Sequence, residues 1–123
     1  MENPKNLVLI IFGASGDLTS RKLIPAIFSL KVQKLLPEKF AVFGVGRTLF
    51  SDIDFRRKMK ESILAFSEEK NPDEKLIDDF TESIFYRSMD NAKIGDYAGL
   101  KSRLEDIDSK LKTSGNYIFY MAT

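Results

Sequence analysis

Six apolar residues run without a polar break from Leu7 to Phe12, and Gly13 ends the run. Several are β-branched or aromatic, the pattern of a strand buried on both faces. From Leu23 to Leu36 the apolar positions cover more than one helical stripe, which predicts a helix packed on a sheet and on a second surface. Pro25 is expected in its first turn, where a missing N–H costs little, and Leu36-Pro37-Glu38 breaks it. Phe40 to Gly46 reads as a second buried strand. Ser51 with Asp54 three residues on marks a helix start, with Ile53, Met59, Ile63, Leu64 and Phe66 as its apolar positions. Asn71-Pro72-Asp73-Glu74 marks another: a capping residue, Pro at the first helical position, then acids. Leu76, Ile77 and Phe80 form that helix's apolar face. Ile84 to Ser88 reads as a short third strand, with Asp90 and Asn91 in the loop after it. Tyr97, Leu100, Leu104, Ile107 and Leu111, three or four apart, predict an amphipathic helix ended by Ser114-Gly115-Asn116. Tyr117 to Ala122 is the fourth strand.

Strands separated by helices predict an α/β fold, a Rossmann-like doubly wound parallel sheet with right-handed crossovers and strand order 3-2-1-4. The fourth strand is apolar on both faces, as a central strand would be, while edge strands are usually short or charged. Thr123 follows almost at once. The expectation is therefore an incomplete sheet whose remaining strands and partner domain lie outside these residues.

Composition narrows the function. The chain has 123 residues, enough for one domain, and 43% of them are hydrophobic, enough to fill a core. Nineteen basic and 18 acidic residues leave a net charge of +1. That balance argues against a nucleic-acid or membrane-surface partner, which would need a basic excess. With no cysteine, disulfides, zinc–thiolate sites and Cys nucleophiles are excluded; a cytoplasmic setting fits. Met1 to Asn6 lacks the basic flank of a signal peptide, and no apolar run approaches a membrane span.

The candidate chemistry lies in the turn Gly13-Ala14-Ser15-Gly16 between the first strand and first helix. Gly13 can take a positive φ at a sharp turn. Gly16 has no side chain, so a pyrophosphate can approach the backbone, and the helix start beyond it offers free N–H groups and a positive dipole end. Ser15 can add a hydroxyl. Thr19 stands where a third glycine would complete G-x-x-G-x-x-G. An ordinary tight βα turn without a ligand would read the same way.

The longer stretch Gly13-Ala14-Ser15-Gly16-Asp17-Leu18-x-x-Arg21-Lys22-Leu23-x-Pro25-Ala26 is more specific. It resembles the N-terminal coenzyme motif of the glucose-6-phosphate dehydrogenase family. Phe43-Gly44-Val45-Gly46-Arg47 and Asn116-Tyr117-Ile118-Phe119-Tyr120-Met121-Ala122 resemble later parts of that family in the same order. The resemblance spans nearly the whole chain, yet only the first part of such an enzyme. It implies that residues 1–123 are the N-terminal part of an NADP-binding Rossmann domain. It also implies an enzyme that oxidises glucose 6-phosphate to 6-phosphogluconolactone, the opening reaction of the pentose phosphate pathway, as a homo-oligomer.

The resemblance assigns roles residue by residue. Gly13, Ala14, Ser15, Gly16, Asp17 and Leu18 would form the coenzyme turn, with Asp17 capping the helix or bracing the loop. Arg47 follows the second strand where an acid would hold the ribose hydroxyls of NAD; an Arg there can pair with the 2′-phosphate of NADP, with Thr48 assisting. A solvated loop arginine is the alternative. Asp90 and Asn91 would contact the adenine, although Asx residues also form turns without ligands. Met121, Ala122 and Thr123 would line the path to the nicotinamide. Lys22 is the candidate for the sugar phosphate.

The family's proton acceptor is a histidine in an Arg-Ile-Asp-His-like segment; this sequence has no histidine and no such segment. No catalytic residue and no metal site is therefore expected in this chain, which alone should be inactive. One rival is another NADP-dependent reductase of short-chain type, whose mark is a Tyr-x-x-x-Lys pair. A second is a non-catalytic nucleotide-sensing module.

Overall fold

Helical and extended segments alternate as the hydrophobic runs predict. The computed structural model describes residues 6–68, 72–89, 95–111 and 116–122. Strands β1 (Leu7–Phe12), β2 (Phe40–Gly46), β3 (Ile84–Ser88) and β4 (Tyr117–Met121) form one parallel sheet in the order β3-β2-β1-β4. The register sets Ile10 of β1 opposite Phe43 of β2 and Phe119 of β4, and Phe43 opposite Phe85 of β3.

Alternate side chains of the strands face two apolar layers, as pleating requires. On one face, Ile11, Val42 and Ile84 pack against Ile24 and Phe28 of α1 (Ile24–Val32), Phe55, Met59 and Ile63 of α2 (Asp52–Phe66), and Ile77 and Phe80 of α3 (Glu74–Glu82). On the other, Val8, Ile10, Phe43 and Phe85 meet Leu100, Leu104 and Ile107 of α4 (Gly95–Leu111). Tyr97 and Leu111, expected on the same helix face, have side chains outside the described set. Among the described residues, no helix is long and apolar enough to cross a membrane.

The first helix is preceded by helical backbone and stops earlier than expected. Helical backbone already starts at Asp17 and passes through a π turn, Thr19–Leu23, before α1. The Ile24 N–H bonds back five residues to the Thr19 carbonyl. Pro25 stands in the first turn of α1, as expected, although helical backbone already precedes it. The register slip just before it accommodates its missing N–H without breaking the helix. At the other end α1 stops at Val32, short of Leu36. Lys34 adopts φ 60°, and the N–H groups of Lys34 and Leu35 bond to the Lys31 and Leu30 carbonyls at 3.0 and 2.9 Å, a Schellman closure without the usual glycine.

Ser51 caps α2 as its sequence predicts, accepting the Asp54 N–H at 3.1 Å. The buried face of α2, however, is Phe55, Met59, Ser62 and Ile63. Ile53, Leu64 and Phe66 are exposed, because they fall on other faces of the turn. Ser62 is buried, and its hydroxyl is satisfied there by that of Ser20 at 2.5 Å, joining α2 to the π turn. The cap of α3 is Asp73, which accepts the Lys75 N–H; Pro72 stands before the cap rather than at the first helical position. Asn71 lies outside the described residues.

The fourth strand is not central in the described sheet. It pairs with β1 alone, at the edge, and Ile118, Phe119, Tyr120 and Met121 are 41–65% exposed. Its apolar outer positions face solvent because no described element lies beyond them.

Candidate functional site

The chain rises through β1, turns, and then builds the sheet outward in both directions, with β2 on one side of β1 and β4 on the other. In such a sheet the carboxyl ends of the strands open onto a crevice at the point where the strand order reverses. The glycine turn sits at that point.

Its geometry is set by backbone bonds. Gly13 adopts φ 84°, a conformation that suits glycine. The N–H groups of Gly13 and Ala14 both donate to the Val45 carbonyl of β2, at 2.8 and 2.9 Å. The Gly16 N–H folds back to the Gly13 carbonyl at 3.1 Å, and helical backbone begins at the next residue. Thr19, fully buried, directs its hydroxyl to the same carbonyl at 3.5 Å. The residue in the third glycine position thus braces the turn from beneath.

A cleft of about 350 Å³ opens over this turn. Gly13, Ser15 and Gly16 form its floor, Gly46 and Arg47 one wall, and Met121 and Ala122 the other. Phe12, Val45 and Met89 complete it. Arg47 is the one charged side chain among the described lining residues, so the cleft favours an anion. A Cβ built at Gly16 would meet only the Gly13 carbonyl, at 3.4 Å, which is ordinary contact. The space above Gly16 is therefore open to a ligand rather than filled by the fold.

The other residues singled out from the sequence are placed as follows. Ala14 is buried against β2. Leu18 is exposed on the first helical turn. Asp17 does not cap the helix: its carboxylate is 91% exposed and pairs with Arg21 one turn on, at 3.9 Å. Thr48 lies beyond the tip of β2, where its carbonyl accepts the Tyr86 hydroxyl at 2.5 Å. Lys22 is not brought to the cleft; it lines a separate groove with Pro25, Leu30 and Phe66. Asp90, Asn91 and Thr123 lie outside the described residues.

Sequence reasoning missed several neighbours of the turn. Met89 lies on the same rim and its N–H bonds to the Gly46 carbonyl at 2.8 Å; its place directly after a strand was the available signal. Lys58 reaches from α2 to the Ser15 carbonyl at 3.4 Å, with its ammonium 5.2 Å from the centre of the Phe50 ring. On sequence it reads as one more solvated charge. Tyr86 is also part of the site's frame: burial raises its phenol pKa above the ordinary 10.0, opposed by a hydrogen bond with the Ser15 hydroxyl.

Tyr97-Ala98-Gly99-Leu100-Lys101 does have the Tyr-x-x-x-Lys spacing of short-chain reductases. The short-chain reading thus has its sequence mark. It is disfavoured by position, since both residues belong to α4, Lys101 is exposed, and the described cleft lining draws nothing from that helix.

Comparison with known proteins extends the likeness along the chain. Residues 10–123 match the family model described as glucose-6-phosphate dehydrogenase, NAD binding domain. The glucose-6-phosphate 1-dehydrogenase of Aggregatibacter actinomycetemcomitans is 38% identical over 119 residues, 97% of this chain and 24% of that protein. That of Bacillus subtilis (strain 168) is 38% identical over 121 residues, 98% of this chain and 23% of that protein. A solved glucose-6-phosphate dehydrogenase in complex with its substrate glucose-6-phosphate superposes with a TM-score of 0.83 at 28% identity, over all of this chain and 25% of that one. The chain spans about a quarter of the length of the relatives described here.

Proposed function

The chain belongs to the glucose-6-phosphate dehydrogenase family, and from that premise we propose that it is the NADP-holding part of an enzyme oxidising glucose 6-phosphate to 6-phosphogluconolactone. Residues 1–123 are then the N-terminal part of the coenzyme domain. The substrate domain and the proton acceptor belong to the rest of the polypeptide. Because this sequence has no histidine, no residue here takes the family's proton-acceptor role.

One observation carries the reading: a cleft at the sheet's switch point whose floor is a tight glycine turn opening a helix and whose one described charge is Arg47. The empty space over Gly16 supports the fit to a dinucleotide. The turn formed by Gly13, Ala14, Ser15, Gly16, Asp17 and Leu18 would receive the pyrophosphate over Gly16; the Gly13, Ala14 and Gly16 N–H groups are bonded within the fold, so the attraction comes from the helix start beyond and its dipole. Arg47 pairs with the ribose 2′-phosphate, and Thr48 stands beside it. Asp90 and Asn91, outside the described residues, are assigned to the adenine on family resemblance alone. Met121 and Ala122 border the nicotinamide end. When bound, the nicotinamide ring supplies the hydride acceptor. Lys22 is assigned to the sugar phosphate on family resemblance, and the groove it lines is separate from the coenzyme cleft.

The test is the complete enzyme supplied with glucose 6-phosphate and either coenzyme. NADPH absorbance should rise only with the sugar phosphate present, and NADP should be preferred over NAD. No coenzyme reduction with glucose 6-phosphate would overturn the assignment. An equal preference would overturn the role of Arg47 alone.

A further inference from the structure

Beyond the tip of β2 the Thr48 carbonyl rests on a single buried hydroxyl, close to Ser15 of the glycine turn. Tyr86 of β3 is 5% exposed. Its ring stacks on Phe55 at 4.5 Å between centroids and takes Phe50 edge-on at 5.5 Å. The hydroxyl at the far end of this fixed ring donates to the Thr48 carbonyl at 2.5 Å. The Ser15 hydroxyl of the glycine turn stands on the same side, both oxygens crowding the Cα of Gly46. Burial holds the phenol proton on above its ordinary range, so the donation to Thr48 persists at physiological pH.

Gly46 makes the meeting possible. A Cβ there would stand 2.6 Å from Ser15 Oγ and 2.8 Å from the Tyr86 hydroxyl oxygen. Arg47 lies between Gly46 and Thr48, so the hydroxyl clamps the backbone just after it, while the Met89 N–H holds the Gly46 carbonyl just before it at 2.8 Å.

We propose that Tyr86 is a positioning residue for coenzyme choice, its hydroxyl fixing the Thr48 carbonyl so that Arg47, one residue before it, is presented to the 2′-phosphate. This rests on the assignment of Arg47 to that phosphate. Tyr86 touches neither phosphate nor sugar; it acts through the residues it holds. Tyr86→Phe keeps the stacked ring and deletes only the hydroxyl.

Calorimetric titration of the complete enzyme tests it. One neutral hydrogen bond corresponds to roughly three- to tenfold in affinity. Tyr86→Phe should weaken NADP binding by about that factor and NAD binding by less, narrowing the NADP:NAD affinity ratio. An unchanged ratio, including equal loss for both coenzymes, overturns the proposal, because a merely structural role would weaken both alike. Gly46→Ala, which wedges a methyl between the two hydroxyls, should narrow the ratio in the same direction and serves if Tyr86→Phe does not fold. Arg47→Ala separates the two ideas. If it narrows the ratio and Tyr86→Phe does not, the clamp fails and the phosphate assignment stands. If it leaves the ratio unchanged, the assignment fails and the clamp with it.

Discussion

Ala14 of the glycine turn and Gly44 of β2 are packed so closely that a methyl at Gly44 would stand 2.8 Å from the Ala14 Cβ. The Phe55 ring of α2 would lie 3.3 Å away on the other side. Neither neighbour can rotate aside, since one is a single methyl and the other a buried ring. Gly44 therefore sets the height of the turn over the sheet, and with it the floor of the cleft.

Gly44→Ala should accordingly destabilise the fold by about 1–3 kcal/mol, the usual range for overpacking a filled core. Thermal unfolding of the complete enzyme would show a lowered midpoint, recovered in part by NADP if the coenzyme re-seats the turn. An unchanged midpoint would mean that the turn and β2 can separate freely.

Arg47 stands alone as a charge among the described lining of the cleft. A charge-assisted contact with a phosphate contributes roughly 1.5–3 kcal/mol. Arg47→Ala should cost NADP affinity about ten- to a hundredfold, and NAD affinity far less. Equal losses for the two coenzymes would mean that Arg47 does not read the 2′-phosphate.

The 123-residue chain made alone should not oxidise glucose 6-phosphate. Loss of a general base by itself costs about 10²–10⁴-fold, and loss of substrate positioning adds to it. It should also self-associate, since β4 exposes Ile118, Phe119, Tyr120 and Met121 along an edge. NADPH absorbance and sedimentation at several concentrations check both. Turnover near that of a dehydrogenase, or a stable monomer, would refute the corresponding half.

The four strands and their order were legible in the sequence because each is an apolar run bounded by Gly, Pro or polar residues, and periodicity is strongest there. The bounds of β1, β2 and β3 agree with the structure residue for residue. The helices were less legible. Ile53, Leu64 and Phe66 look like core, but composition does not say which of several apolar faces the sheet will cover. Pro25 was legible as a first-turn residue of α1, but the π turn that carries helical backbone up to it leaves no mark in the pattern. At the site, Gly13, Ser15, Gly16, Arg47, Met121 and Ala122 were legible from position and family likeness, and they meet in one cleft. Tyr86 and Lys58 were not, since their part depends on which strand and helix stand beside the turn.

The claim that the glycine turn receives the coenzyme's pyrophosphate is tested most directly at Gly16. A Cβ there meets nothing closer than the Gly13 carbonyl at 3.4 Å, so the unliganded fold has room for a side chain that a bound pyrophosphate would exclude. The measurement is an NADP titration of the complete enzyme carrying Gly16→Val, alongside its thermal midpoint. A near-normal midpoint with severely weakened NADP binding is the predicted result. Unchanged NADP affinity in a folded variant would contradict the account.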